Sequence, residues 1–187
     1  HTGEGFIAKY IEGVATPPVV ADPHPITCSA CHDPHFSEFD EQLRIAGDYT
    51  FFSGETYEDP GKGGLCMRCH SGRVTDWNTT ALTSYRGMHY GAQGDVLLGI
   101  NGADFGLPFY GNSAHTQIVE ETCVTCHMAE PAFSGAEVGS HTYAMRDDMD
   151  TEDESDDVIN AVNACGACHP GLATYDREAR GDFDGDG

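Results

Sequence analysis

The chain has 187 residues, with 31 acidic side chains against 9 basic ones and a formal net charge of −22. Such a chain offers no basic patch to nucleic acid and is repelled by an anionic membrane surface, and its apolar runs are far too short to span a bilayer. The length fits one domain, yet 23 Gly and 9 Pro and a weak hydrophobic period leave few strong helices or strands from which to build a core.

The sequence begins at His1 rather than Met, and the expectation is an exported protein whose signal peptide has been removed. His24 follows, between two prolines and four residues before the first cysteine. Cys28-Ser-Ala-Cys31-His32 then opens a pattern that recurs as Cys66-Met-Arg-Cys69-His70, Cys123-Val-Thr-Cys126-His127 and Cys165-Gly-Ala-Cys168-His169. The four copies use all 8 cysteines of the chain. Cys-x-x-Cys-His is the attachment signature of c-type haem: the two thiols add to the vinyl groups of the porphyrin, and the His reaches the iron from the proximal side.

A zinc ribbon also uses Cys-x-x-Cys pairs, but it does not require a His after each one. Neither does a disulfide framework, and a thioredoxin-like motif needs a βαβ context that is missing here. His is 10 of 187 residues, so four coincidences would have a chance of about 10⁻⁵. Four haems in a chain this short leave about 47 residues for each. The haems are therefore expected to be the core, and the fold class to be mainly irregular, with a few short α-helices, little β, and the chain wrapped around four covalent haems as a single domain, 1–187. The haem-free polypeptide is not expected to fold.

Between the motifs, 44–64 and 94–112 are rich in Gly and aromatic residues and read as loops with a short hairpin. Short helices should carry the motifs. Asn78-Thr-Thr80 is a glycosylation sequon, compatible with export. Eight acidic residues fall between Asp147 and Asp157, most simply a solvated loop. Ser155 to Ala164 has a helical signal: Ser155 as a cap, Asp156 and Asp157 in the first turn, and Val158, Ile159 and Val162 on one face. At the end of the sequence, Asp182, Asp184 and Asp186 with Gly187 resemble the opening of a calcium loop. Ca²⁺ or an acidic tail are the two readings there, and the abrupt end suggests a chain that continues.

The second axial position on each iron separates electron transfer from catalysis, because a second His closes it to substrate. Beyond the proximal His32, His70, His127 and His169, six His remain. His35, His89, His115 and His141 are the expected distal ligands. His24 is a reserve, and His1 is a weaker one at a mobile terminus. Met67 and Met128 lie too near their own motifs, and Met88, Met145 and Met149 are outnumbered by His. The expectation is bis-His haems with low, overlapping potentials. Five good candidates for four places leave one over: either one is not a ligand, or one serves a haem on another molecule.

The residues resemble a family of extracytoplasmic multihaem cytochromes c over nearly the whole chain. The resemblance rests on Cys-Ser-Ala-Cys-His-Asp-Pro-His at 28–35, Leu-Cys-Met-Arg-Cys-His-Ser-Gly-Arg at 65–73 and His-Tyr-Gly-Ala-Gln-Gly-Asp at 89–95. It continues through Asn-Ser-Ala-His at 112–115, Cys-Val-Thr-Cys-His-Met at 123–128 and Ser-His-Thr-Tyr at 140–143. Its four-haem members include extracellular cytochromes that polymerise into nanowire filaments, in which a His of one subunit ligates a haem of the next. The resemblance implies an electron conduit outside the cell or on its surface, self-associating and passing electrons to redox proteins or extracellular acceptors. Soluble tetrahaem carriers share the signatures, so a periplasmic shuttle is the alternative. A reductase of nitrite or hydroxylamine is a third reading, against which the His count argues.

Overall fold

The computed structural model describes residues 2–73, 91–102, 113–131, 137–148 and 158–175. The chain divides into two compact units, His1–Thr122 and Cys123–Gly187. Each contains two of the four motifs.

The first unit opens on helix α1, Gly3–Phe6, capped by Thr2, whose Oγ1 accepts the Gly5 N–H at 3.0 Å. A π-helical turn, Ile7–Ile11, continues it. Helix α2, Cys28–Cys31, is a single turn that packs against α1. Two short antiparallel strands follow, β1 (Tyr49–Thr50) and β2 (Thr56–Tyr57), with Tyr49 opposite Tyr57 and Thr50 opposite Thr56. This is the hairpin expected within 44–64.

Helix α3, Gly63–Met67, carries the second motif. Its Gly64 is demanded by packing: a Cβ there would lie 2.2 Å from the Gly47 carbonyl oxygen. Helix α4, Gln93–Leu98, ends on Gly99 in the left-handed conformation, φ 64°. A loop was expected here. The helix is fixed instead by Asp95, whose buried carboxylate accepts the Gly72 N–H at 2.6 Å and the Asn101 amide at 3.2 Å. Helix α5, His115–Ile118, packs on α4.

The second unit begins with helix α6, Cys123–His127. A 3₁₀ turn at Ser140–Thr142 leads to strand β3, Arg146–Asp148, which pairs antiparallel with β4, Val158–Asn160. A second 3₁₀ turn, Val162–Cys165, delivers the fourth motif and packs on α6. The helix expected from Ser155 to Ala164 is therefore not formed over its described part. β-Branched Val158 and Ile159 suit an extended strand, and β3 supplies the ladder. The caps that favoured a helix, 155–157, lie outside the described residues.

Regular structure is thus a few short helices and two two-stranded ladders, with most of the described chain irregular, as expected. Among the described residues the buried apolar side chains are Phe6, Ala30, Leu43, Tyr49, Phe51, Met67, Ala92 and Leu98 in the first unit, and Val138 and Ala161 in the second. No helix among the described residues is long and apolar enough to cross a membrane.

Candidate haem sites

All four motifs lie among the described residues, and short helical segments deliver them. Cys28 and Cys31 begin and end α2, Cys66 lies in α3, and Cys123, Cys126 and His127 lie in α6. One helical turn places the thiols at i and i+3 on the same side, as two attachments to one ring edge require. The His amide closes the turn by donating to the first cysteine's carbonyl: His32 to Cys28 at 2.8 Å, His70 to Cys66 at 2.9 Å, His169 to Cys165 at 2.8 Å. No cysteine is in a disulfide; Cys28 and Cys168 are exposed and the other six half-buried. Among the described residues no three His, Cys, Asp or Glu side chains converge on one point. A four-thiolate zinc site requires such convergence, whereas a haem motif sends its sulfurs to the ring edge and its His to the iron.

Three of the four proximal imidazoles, His32, His70 and His127, are oriented through Nδ1. His32 Nδ1 donates to the Glu41 carbonyl at 2.7 Å, His127 Nδ1 to the Tyr143 carbonyl at 3.0 Å, and His70 Nδ1 to Gln93 Oε1 at 3.2 Å. A carbonyl can only accept, so the proton stays on Nδ1 and the lone pair stays on Nε2, the nitrogen that binds haem iron. The first two acceptors share a backbone device. Glu41 (φ 51°) and Tyr143 (φ 59°) are both in the left-handed region, which side chains other than Gly and Asn visit at a cost. Each of these two carbonyls is turned onto an imidazole.

Around the first motif the chain doubles back as a strap. Leu43 bridges His32, the Arg44 amide donates to the Cys31 carbonyl at 2.8 Å, and Arg44 pairs with Asp33 at 2.8 Å. At the second motif, α4 docks by its N-terminus, the Gly94 amide donating to the His70 carbonyl at 2.8 Å. In the second unit, Gly139 (φ 67°) lets the 3₁₀ turn approach α6: a Cβ there would sit 2.0 Å from the Ala129 carbonyl oxygen.

The thiols lie in couples. Burial pushes the Cys31 thiol up, and the nearby Cys69 and Cys28 thiols push it further. Burial likewise raises Cys69. Cys126 is raised by burial, then by Cys165 and Cys123. The first motif thus adjoins the second, and the third adjoins the fourth. Tyr175 belongs to the latter couple; its phenol is raised by burial and then by Cys165, to which it hydrogen-bonds, and Cys126.

Of the expected distal ligands, His35, His115 and His141 are described and exposed. His115 Nδ1 lies 2.9 Å from Ser113 Oγ, and the His141 ring meets Tyr143 edge-on, 6.1 Å between centroids. The exposed His24 hydrogen-bonds through Nδ1 to the Glu4 carboxylate, the same orienting arrangement as at the proximal His. His1, His89, Met88, Met149, the Asn78 sequon and Asp182, Asp184 and Asp186 lie outside the described residues. Sequence reasoning missed Glu41, Tyr143, Gln93 and Glu4. For the first two no signal existed, since any residue supplies a carbonyl.

Paired Cys-x-x-Cys-His turns with Nδ1-oriented imidazoles define a site for covalently attached haem, and the donor set fits that group. Residues 18–75, spanning the first two motifs, match the family model described as the doubled CXXCH motif. The match supports a multihaem c-type cytochrome, binding haem c covalently and carrying electrons. No curated protein and no solved structure matches the chain.

Proposed function

We propose that each of the four motifs holds one haem c, that the polypeptide wraps these haems as its core, and that every iron is closed by two His. The observation that carries this reading is the repetition of one design. Thiols sit on one helical turn, the imidazole is oriented through Nδ1 at three of the four motifs, and a second motif adjoins the first. Haem supplies a one-electron iron couple when bound. The chain's own residues attach it, fix the proximal ring, and cover it with His32, Leu43 and Arg44 on one side of the first unit. His35, His115 and His141 serve as distal ligands, with His89 the fourth. Closed irons carry electrons without turning over a substrate.

The chain is proposed to be a subunit of an extracellular or cell-surface filament, delivering electrons to redox proteins or extracellular acceptors. The surplus of His over irons supports this reading. His24 supports it further: it is exposed, and Glu4 orients it as a ligand is oriented. Intact-mass measurement should find four haems. Electron paramagnetic resonance should find low-spin ferric iron throughout, and a substantial high-spin population would overturn the bis-His assignment. Electron microscopy at moderate concentration should show filaments; dispersed monomers alone would favour the periplasmic shuttle.

A further inference from the structure

Positive charge is scarce in this chain, and in the first unit its distribution is uneven. Two cations are matched by carboxylates: Arg44, beside the first motif, pairs with Asp33, and Lys62, at the start of the helix that carries the second, pairs with Glu41, each at 2.8 Å. The cation inside the second motif is not. Arg68 stands between Cys66 and Cys69, is buried, and donates to the backbone carbonyls of Gly64 and Asp48, both at 3.2 Å. Its guanidinium carbon lies 5.1 Å from the centre of the Tyr49 ring. Among the described residues no carboxylate pairs with it, and burial lowers its pKa with only the Tyr49 and Tyr10 phenols opposing.

Two more cations join the same aromatic cluster. Lys9 Nζ lies 5.7 Å from the Tyr10 ring centre and 5.9 Å from that of Phe52, and Arg73 lies 6.0 Å from Phe52. Neither has a carboxylate partner among the described residues. Arg73 acts on the Cys69 thiol, lowering its pKa against the larger upward push of burial. The one buried carboxylate of this region, Asp95, is committed to the Gly72 amide and Asn101 and offsets only one of the three charges.

A buried guanidinium takes part in no titration below pH ~12, so this is a permanent field. Positive charge beside an iron disfavours the ferric state relative to the ferrous. We propose that Arg68, supported by Arg73 and Lys9, makes the haem of the second motif the higher-potential member of the first pair, so that the pair has a direction. One electron leaves a ferrous iron at the first motif, which becomes ferric, and the ferric iron at the second becomes ferrous; no proton or other reactant is needed. The two motifs are tied together by packing: α1 packs on α2, and Tyr10, in the turn that continues α1, donates its hydroxyl to the Arg68 carbonyl. The inference rests on haem occupying the second motif, and it replaces overlapping potentials with a step inside the unit.

The test is a spectroelectrochemical titration of the haem-loaded protein, after peptide mass spectrometry has shown haem on Cys66 and Cys69. Absence of haem there would defeat the underlying reading rather than the charge argument. Arg68→Gln should lower the highest-potential component by about 59 mV, a tenfold change for a one-electron couple, the scale of one partly screened unit charge. Arg68→Lys should restore most of it. Arg73→Gln and Lys9→Gln, made where the side chain is not needed for folding, should lower the same component by less. If the haem is loaded and none of the charge-removing variants moves that component, or only the lower components move, the inference is wrong.

Discussion

The two units hold their motifs by different means. In the first, the motif turns are embedded: α1 packs on α2, α4 docks on His70, and Met67 inside the second motif is completely buried. Among the described residues of the second, Val138 and Ala161 are the buried apolar side chains, and His127, Cys168 and His169 lie open, as Cys28 and His70 do in the first. Yet His32 and His127 are oriented alike, by a carbonyl from a residue with positive φ. The comparison separates two requirements. Orienting an imidazole takes one carbonyl and can be met by a short strained turn. Building a core takes apolar volume, which on the proposed reading haem would supply.

The largest effect should therefore come from removing haem. Chain produced without haem attachment should give no cooperative melting transition by calorimetry. In hydrogen exchange, residual protection should be confined to the first unit, around the Tyr49–Phe51–Met67 cluster, with none in 123–175. A compact apo-protein that melts cooperatively would break the comparison, because it would mean that side chains alone suffice.

Next come polar anchors. Asp95→Ala would leave the Gly72 amide without its acceptor in a buried place, at a cost of about 3 kcal/mol. Asn163→Ala in the second unit removes an exposed hydrogen bond to the Glu130 carbonyl and should cost about 1 kcal/mol or less. Chemical denaturation of the loaded proteins measures both. Equal losses would show that the second unit is packed more firmly than its buried residues suggest.

The strained carbonyls sharpen the shared part of the comparison. A β-branched residue tolerates the left-handed region poorly, at about 1–2 kcal/mol. Glu41→Val and Tyr143→Val should each destabilise by that amount and shift the Nδ1–H resonance of His32 or His127 in proton NMR. Tyr143→Gly and Glu41→Gly, which fit the backbone, should keep that resonance in place. A Val variant that leaves the resonance unmoved would show that the φ value does not serve the imidazole.

How much of this could be read from the sequence follows the same division. The motif turns were legible, because Cys-x-x-Cys-His fixes both local geometry and chemistry. So was the hairpin within 44–64, where Gly54 (φ 101°) closes the turn between Phe51 and Glu55. The backbone acceptors were illegible, since a carbonyl has no sequence signature and its aim depends on φ at Glu41 or Tyr143. The charge step at Arg68 was equally hidden: the residue stands in plain view inside the motif, but its burial and the position of Lys9 are tertiary facts. The helix expected across 155–164 failed for a related reason. Val158 and Ile159 satisfy a helical face and a strand alike, and only the partner Arg146–Asp148 decides between them.

The smallest effect concerns acid and the N-terminal helix that backs the first motif. The Glu4 carboxyl is held below its ordinary value of 4.5, first by a backbone amide of its own helical turn and then by His24. A depressed carboxyl stabilises the fold above its unfolded value, and that contribution fades as pH falls through the folded one. Amide protection in α1 should therefore stay level from neutral pH down to about pH 5 and decline below it. Glu4→Gln should remove the decline. Because both partners are exposed, added salt should blunt it as well. If α1 instead loosens equally in the wild type and in Glu4→Gln, the acid response belongs to other carboxylates, and the hold of α1 on α2 rests on close packing such as that of Gly3 against Ala30.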